Sequence, residues 1–105
     1  IVISRCGANS LAELAILRKP SILVPWPGAA HDHQLANAVF FHRRGAARVI
    51  VQSDLSAKML TRSVLELMKH HDEQHKLSEA IGRLAEREAA QKLAKLVLKT
   101  GEQHG

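Results

Sequence analysis

The sequence predicts an α/β fold in which short parallel strands alternate with helices. Three β-branched runs, at residues 1–3, 21–24 and 48–51, are each bounded by Pro, Gly or polar residues, as buried strands are. Between them lie two stretches long enough for helices, at residues 10–17 and 32–44. Strands that are joined through helices pair in parallel with right-handed crossovers, so helices should cover the sheet.

The remaining elements are predicted to be helical. The second helix should stop at Gly45, and Ser56 can cap a third helix. A fourth helix should run from near Asp72 to Gly101, with a bend at residues 86–88 that reconciles two apolar stripes. The predicted core-facing residues are Leu60, Val64, Leu67 and Met68 in the third helix, and Leu77, Ile81, Leu84, Leu93, Leu96 and Val97 in the fourth.

Length and composition indicate one folded domain. The chain has 105 residues, of which 46% are hydrophobic and 24% charged, and no apolar run approaches the roughly 20 residues of a spanning helix. Cys6 is the only cysteine, so no internal disulfide forms and a cytoplasmic setting is the default. Because three parallel strands make a small sheet and the sequence opens inside an apolar run, we expect further strands ahead of Ile1.

The formal charge of +5 favours anionic partners such as phosphates, acidic lipids or nucleic acid. Nucleic acid is the weakest of these, because only 3% of the residues are aromatic and Lys and Arg are scattered among Glu.

Two loops at the carboxyl ends of the predicted strands are candidate ligand sites, since open α/β sheets bind ligands there. The first loop carries Arg5 and Gly7 and opens a helix, where backbone N–H groups and the helix dipole favour an anion. The alternative is purely structural, because Ser10 and Glu13 match an S-x-x-E capping box.

The second loop leads into a helix that carries Gln34 and Asn37, which lie three apart and could bind sugar hydroxyls or simply face water. Histidines at residues 31, 33, 71 and 75 are not accompanied by a complete set of zinc ligands at the usual spacing, so no metal site is predicted. Cys6 has no neighbouring base and is interpreted as a packed thiol.

Three motifs in register carry a family resemblance: ISRCGANSLAE at residues 3–13, KPSILVP at 19–25 and DHQLANA at 32–38. Together they resemble the C-terminal domain of the peptidoglycan N-acetylglucosamine transferases of glycosyltransferase family 28. The resemblance continues through residues 45–47 and weakens to a helical outline after Val51. In that family Gly often ends the helix at the position of Arg18.

The resemblance implies a GT-B fold of two facing Rossmann-like domains, with residues 1–105 as the UDP-sugar-binding domain, incomplete at its N-terminus. The implied activity is transfer of N-acetylglucosamine from UDP-N-acetylglucosamine to the undecaprenyl-linked muramyl-pentapeptide, which a missing N-terminal domain would hold. It also implies peripheral association with the cytoplasmic face of the bacterial inner membrane, and neither a cofactor nor a nucleic-acid partner.

By the same resemblance, the loop and helix start would wrap the nucleotide, Glu13 would bind the ribose hydroxyls, and Arg5 would lie near the phosphates. Gln34 would contact the hydroxyls of N-acetylglucosamine, with Asn37 nearby in a supporting or direct role. No catalytic base can be named, because the family's N-terminal glycine-rich loop has no counterpart here. A separately encoded donor-binding subunit, similar to the two-chain dolichol-linked transferases, is the alternative, and a basic nucleic-acid-binding domain is the third hypothesis. The predicted substrate-binding residues are Arg5, Gly7, Ala8, Asn9, Ser10, Leu11, Ala12, Glu13, Gln34 and Asn37.

Overall fold

The computed structural model describes residues 1–28 and 33–104, with side chains described as far as Leu98. Its elements alternate as the sequence predicts, and a short 3₁₀ turn, Gln52–Asp54, follows the last strand. In chain order they are β1 (Val2–Ser4), α1 (Ala8–Ile16), β2 (Ser21–Leu23), α2 (His33–Arg43), β3 (Arg48–Val49), α3 (Ala57–Lys69) and α4 (His71–His104).

The three strands form one parallel sheet in the order β1-β2-β3, which confirms the α/β class. Val2 is level with Ser21, and Ile22 is level with Arg48. The central strand β2 is buried along its whole length, as a strand covered on both faces should be. Beyond β3, the Ile50 N–H still donates to the Leu23 carbonyl at 2.9 Å, so the pairing extends one hydrogen bond past the assigned strand.

Helices cover both faces of the sheet and create two apolar clusters. Side chains alternate between the faces, so Leu23 belongs to one cluster and Ile22 to the other. Helices α1 and α2 pack on the Leu23 side, whereas α3 packs on the Ile22 side. Helix α4 reaches both, because its Leu77 joins the Ile22 cluster and its Ile81 joins the Leu23 cluster.

Helix α1 ends at Ile16, and Arg18, which follows the C-cap Leu17, has a left-handed φ of 53°. This conformation explains why glycine suits the position. The Arg18 side chain lies across α4 at Gly82, where an added Cβ would come within 2.8 Å of the Arg18 Cζ. Arg18 also pairs with Glu86, and the Ser78 hydroxyl donates to the Arg18 carbonyl at 2.7 Å. These contacts fasten the end of α1 to α4.

Two of the predicted helix boundaries are confirmed. The Ser56 hydroxyl accepts a hydrogen bond from the Met59 N–H at 3.1 Å, as a cap does, and Gly45 has a left-handed φ of 66°. Met68, however, is 54% exposed, so its predicted place in the core is wrong. It lies on the flank of α3, beside the stripe that holds the buried Leu67.

The prediction for α4 needs a larger correction. The helix is continuous through residues 86–88, and it does not end at Gly101 as predicted. An isolated glycine costs a helix only about 1 kcal/mol, so Gly101 need not stop it. Leu93, Leu96 and Val97 are 62%, 62% and 61% exposed, so their predicted place in the core is wrong. No helix in the described part of the chain is both long enough and apolar enough to cross a membrane.

Candidate ligand-binding site at the strand ends

Helix α1 begins three residues earlier than the capping box would require. Gly7 is the N-cap and makes no side-chain cap, and the Leu11 N–H donates to the Gly7 carbonyl at 3.0 Å. Ser10 therefore lies inside the first turn, and the interpretation of Ser10 and Glu13 as a capping box is wrong. The N–H groups of Ala8 and Asn9, together with that of Ser10, precede the first intrahelical bond, which makes this helix start a suitable site for an anion.

Gly7 itself has an ordinary φ of −69°, which any residue can adopt. An added Cβ would meet the Gln34 Nε2 at 3.9 Å, which is a normal van der Waals distance. Neither the backbone nor the described neighbours demand glycine here. A ligand that approaches the backbone closely would be a reason for its presence.

The amide of Gln34 ties the first two strand-end loops together. Its Oε1 accepts hydrogen bonds from the Cys6 N–H at 3.1 Å and from the Trp26 N–H at 2.9 Å. Two backbone donors fix the orientation of this amide, because only its oxygen can accept them. The Gln34 Nε2 is thereby left as a hydrogen-bond donor on the side of Gly7.

Asn37, one turn further along α2, binds the same loop with the opposite polarity. Its Nδ2 donates to the Cys6 carbonyl at 2.9 Å, so its Oδ1 is left as an acceptor. Both amides are half-buried. Side by side on α2, they offer one donor and one acceptor, the combination that a sugar hydroxyl can satisfy by accepting one hydrogen bond and donating another.

Arg5 joins all three strand-end loops rather than capping α1. Its Nη1 donates to the Gln52 Oε1 at 2.6 Å and to the Val24 carbonyl at 3.5 Å, and its guanidinium lies 4.6 Å from the centre of the Trp26 ring. The sequence reasoning missed Gln52 and Trp26. Gln52 directly follows one predicted strand and Trp26 lies two residues beyond another, so the strand-end rule that selected Arg5 could also have found them.

The remaining predicted site residues lie on the first two turns of α1. Ala8, Asn9, Ala12 and Glu13 are exposed, whereas Leu11 is buried in the core and can offer a ligand little. A groove of about 690 Å³ opens beside this helix face, between α1, α2 and α4. Ala8, Ala12 and Asn37 are among its lining residues, so the helix start and one of the two amides share one surface depression.

Cys6 occupies the centre of this loop but is chemically passive. Its side chain is fully buried, and burial raises the pKa of the thiol to about 11, against a smaller opposing effect of the Arg5 charge. A thiol with this pKa stays protonated at neutral pH and is a poor nucleophile. The structure therefore supports the interpretation of Cys6 as a packed side chain.

The histidines do not assemble into a metal site in the part of the chain that the structure describes. Residues 31 and 32 lie outside the described residues, and His33 is exposed at the start of α2. His75 lies 2.9 Å from Glu79 rather than facing His71. Within residues 1–28 and 33–98, no group of three or more His, Cys, Asp or Glu side chains is arranged to hold a metal ion.

Comparison with known proteins gives a consistent result. The chain is 45% identical over 97 residues to the UDP-N-acetylglucosamine–N-acetylmuramyl-(pentapeptide) pyrophosphoryl-undecaprenol N-acetylglucosamine transferase of Nostoc punctiforme, which covers 92% of this chain and 27% of that protein. The protein of the same name from Oenococcus oeni is 43% identical over 98 residues, covering 93% of this chain and 26% of its own length. This chain thus spans about a quarter of the curated relatives that it matches.

The fold agrees with the sequence similarity. The crystal structure of Acinetobacter baumannii MurG matches with a TM-score of 0.72 and 29% identity, over 93% of this chain and 28% of that one. The family model of the glycosyltransferase family 28 C-terminal domain matches residues 1–97. These residues include the sheet, the three loops at its strand ends and most of α4. The chain therefore belongs to the glycosyltransferase family 28 C-terminal domain family.

Proposed function

We propose that this chain is the donor-binding part of a transferase that moves N-acetylglucosamine from UDP-N-acetylglucosamine to an undecaprenyl-linked muramyl-pentapeptide. The names of the relatives support this activity. We further propose that the protein works as a peripheral enzyme at the cytoplasmic face of the bacterial inner membrane, where a lipid-linked acceptor would lie.

The observation that carries the proposal is the opposite polarity of the two amides on α2. The loop after β1 uses the oxygen of Gln34 and the nitrogen of Asn37, which leaves a donor and an acceptor for a ligand. A pair of this kind suits the hydroxyl groups of a hexose better than it suits a phosphate, which only accepts hydrogen bonds. We assign the sugar of the donor to this end of the site.

The diphosphate is assigned to the start of α1. The N–H groups of the first turn, which have no intrahelical partner, and the positive end of the helix dipole stabilise negative charge. Charge on the diphosphate increases as the bond to the sugar breaks, so the same groups stabilise the departing UDP more than the bound donor. In this proposal the chain contributes electrostatic stabilisation and binding, while proton transfer from the acceptor is the task of another part of the protein.

Glu13 is assigned to the ribose. It is exposed on the second turn of α1, and no hydrogen bond or ion pair holds its carboxylate among the described residues. A carboxylate that accepts hydrogen bonds from two ribose hydroxyls forms charge-assisted bonds. Since the capping box is absent, a structural role no longer competes with this assignment.

The test is calorimetric titration of UDP-N-acetylglucosamine into the longest natural polypeptide that contains this chain. Loss of charge-assisted bonds worth about 1.5–3 kcal/mol should make Glu13→Gln bind the donor roughly 10- to 150-fold more weakly. The melting temperature without ligand should be unchanged, because Glu13 is exposed.

Glu79→Gln is the matched control, since Glu79 is an exposed glutamate on α4 that pairs with His75 and Arg83. It should bind the donor as the wild type does. Equal donor affinity of wild type and Glu13→Gln would remove Glu13 from the site, and no measurable donor binding by the wild type would overturn the proposed function itself.

A further inference from the structure

Gln52 makes a contact that links the loops at the two outer strands of the sheet. It opens the 3₁₀ turn Gln52–Asp54 after β3, and its Oε1 accepts a hydrogen bond from the Arg5 Nη1 at 2.6 Å. Arg5 follows β1, and β2 lies between the two outer strands. The Arg5 side chain therefore crosses the carboxyl end of β2, and Gln52 binds its far end.

Gln52 is the partner that decides where the Arg5 guanidinium lies. The other hydrogen bond of the same Nη1, to the Val24 carbonyl, is 3.5 Å long, which is at the limit for a hydrogen bond. The bond to Gln52 is short and charge-assisted, so it is the stronger of the two. Without Gln52, the N–H donors of this flexible side chain would turn towards water.

The position of the guanidinium affects the amide of Gln34, to which the sugar is assigned. The guanidinium lies 4.6 Å from the centre of the Trp26 ring, and the Trp26 N–H donates to the Gln34 Oε1 at 2.9 Å. The second donor to that oxygen, at 3.1 Å, is the N–H of Cys6, the residue directly after Arg5. Of the two groups that orient the amide, one therefore adjoins Arg5 in the chain and the other belongs to the residue against which Arg5 packs.

A purely structural role for Gln52 is the alternative, and its exposure argues against that role. An exposed hydrogen bond adds little to the stability of the fold, because water replaces it when it breaks. A small displacement of the loops after β1 and β2, by contrast, would turn the Gln34 Nε2 away from a ligand. A hydrogen bond weakens steeply as its angle departs from linear, so binding is more sensitive to this contact than stability is.

We propose that Gln52 is a positioning residue for the sugar of the donor. Through Arg5 it holds the Trp26 ring and the first two strand-end loops, so that the Gln34 Nε2 points at the ligand, while Gln52 itself does not touch the ligand. The inference rests on the proposed function, because that proposal assigns the sugar to Gln34 and Asn37. It predicts that a side chain from the loop after β3 controls recognition of the sugar and leaves recognition of the nucleotide unchanged.

The test compares two ligands, UDP-N-acetylglucosamine and UDP, which differ by the sugar. Calorimetric titration of each into the longest natural polypeptide that contains this chain gives a sugar ratio, defined as the Kd of UDP divided by the Kd of UDP-N-acetylglucosamine. Gln52→Ala should lower the sugar ratio about 3- to 10-fold, as the loss of one hydrogen bond to the sugar would. The affinity for UDP and the melting temperature without ligand should match those of the wild type, because Gln52 is exposed.

Two further variants distinguish positioning from general damage to the loop. Gln52→Glu keeps an acceptor for Arg5 and adds a charge, so it can weaken both ligands equally but should retain the wild-type sugar ratio. Ser53→Ala is the matched control in the same 3₁₀ turn, since Ser53 is exposed and its side chain is not a partner of Arg5. It should retain both affinities.

A double variant tests whether Gln52 acts through Gln34. Gln34→Ala alone should lower the sugar ratio, and Gln52→Ala added to it should lower the ratio no further, because the amide that Gln52 positions is gone. Additive losses would overturn the proposal, as would an unchanged sugar ratio in Gln52→Ala or an equal loss of affinity for both ligands. A wild type that binds neither ligand would overturn the proposed function, and this inference with it.

Discussion

The loop after β1 leaves the amide nitrogen of Gln34 and the amide oxygen of Asn37 available to a ligand. Changing each amide to the corresponding acid tests this difference, because an acid supplies only acceptors at neutral pH. Gln34→Glu keeps an oxygen for the Cys6 and Trp26 N–H groups, so the melting temperature should hold while donor affinity falls. Asn37→Asp turns a carboxylate oxygen towards the Cys6 carbonyl and should cost about 1–3 kcal/mol of stability.

Thermal melts and donor titrations of the two variants separate these effects. Comparable destabilisation by both substitutions would contradict the assigned amide orientations. Alanine at each position serves as the control, since it removes the amide without adding a charge.

At the residue scale, the sequence identified the right loops but not the partners of each side chain. Gln34 and Asn37 could be selected because polar residues at a helix start after a buried strand are exposed to a ligand. Their hydrogen bonds to Cys6 could not be predicted, since those bonds depend on how closely the first two strand-end loops approach each other. Ser10 was misread because the capping box is a local pattern, and the packing of the chain starts the helix at Ala8 instead.

At the scale of elements, the strands and most helix ends could be predicted from hydrophobic periodicity and from the Pro, Gly and polar residues that bound each element. The course of α4 could not, because apolar spacing shows which residues share a face and not whether anything covers that face. Ile81 and Leu93 both belong to predicted stripes, yet only Ile81 is buried.

The two halves of α4 should respond differently to truncation of a side chain. In the 105-residue chain, Ile81→Ala should lower the free energy of unfolding by about 2–5 kcal/mol, because it leaves a cavity in the Leu23 cluster. Leu93→Ala should change it by less than about 0.5 kcal/mol. Urea denaturation monitored by circular dichroism measures both, and similar costs for the two variants would show that the end of α4 packs against a surface.

At the scale of the whole molecule, one buried thiol should contribute to the loss of stability at alkaline pH. Burial raises the pKa of the Cys6 thiol from its ordinary value of 9.0 to about 11 in the folded chain, because burial disfavours the charged thiolate. Between these two values the folded state holds more protons than the unfolded state, so stability falls as the pH rises. The contribution of the buried thiol to the free energy of unfolding is complete below pH 9.0 and is lost progressively towards pH 11.

Urea midpoints of the 105-residue chain, measured from neutral pH to the alkaline range, test this expectation. Lysines also titrate in the upper part of that range, so Cys6→Ala is the necessary reference. The wild type should lose stability more steeply than Cys6→Ala. Parallel curves for the two proteins would show that the thiol does not control the alkaline transition.

Because α4 holds Leu77 in one apolar cluster and Ile81 in the other, it determines when the chain can finish folding during synthesis. The strands and the first three helices leave the ribosome before either cluster has its last member. Until residue 81 emerges, both sheet faces keep apolar surface exposed to water, a condition in which nascent chains attract chaperones and one another. Helix α4 thus packs after the first three helices and covers the exposed apolar surface of both sheet faces.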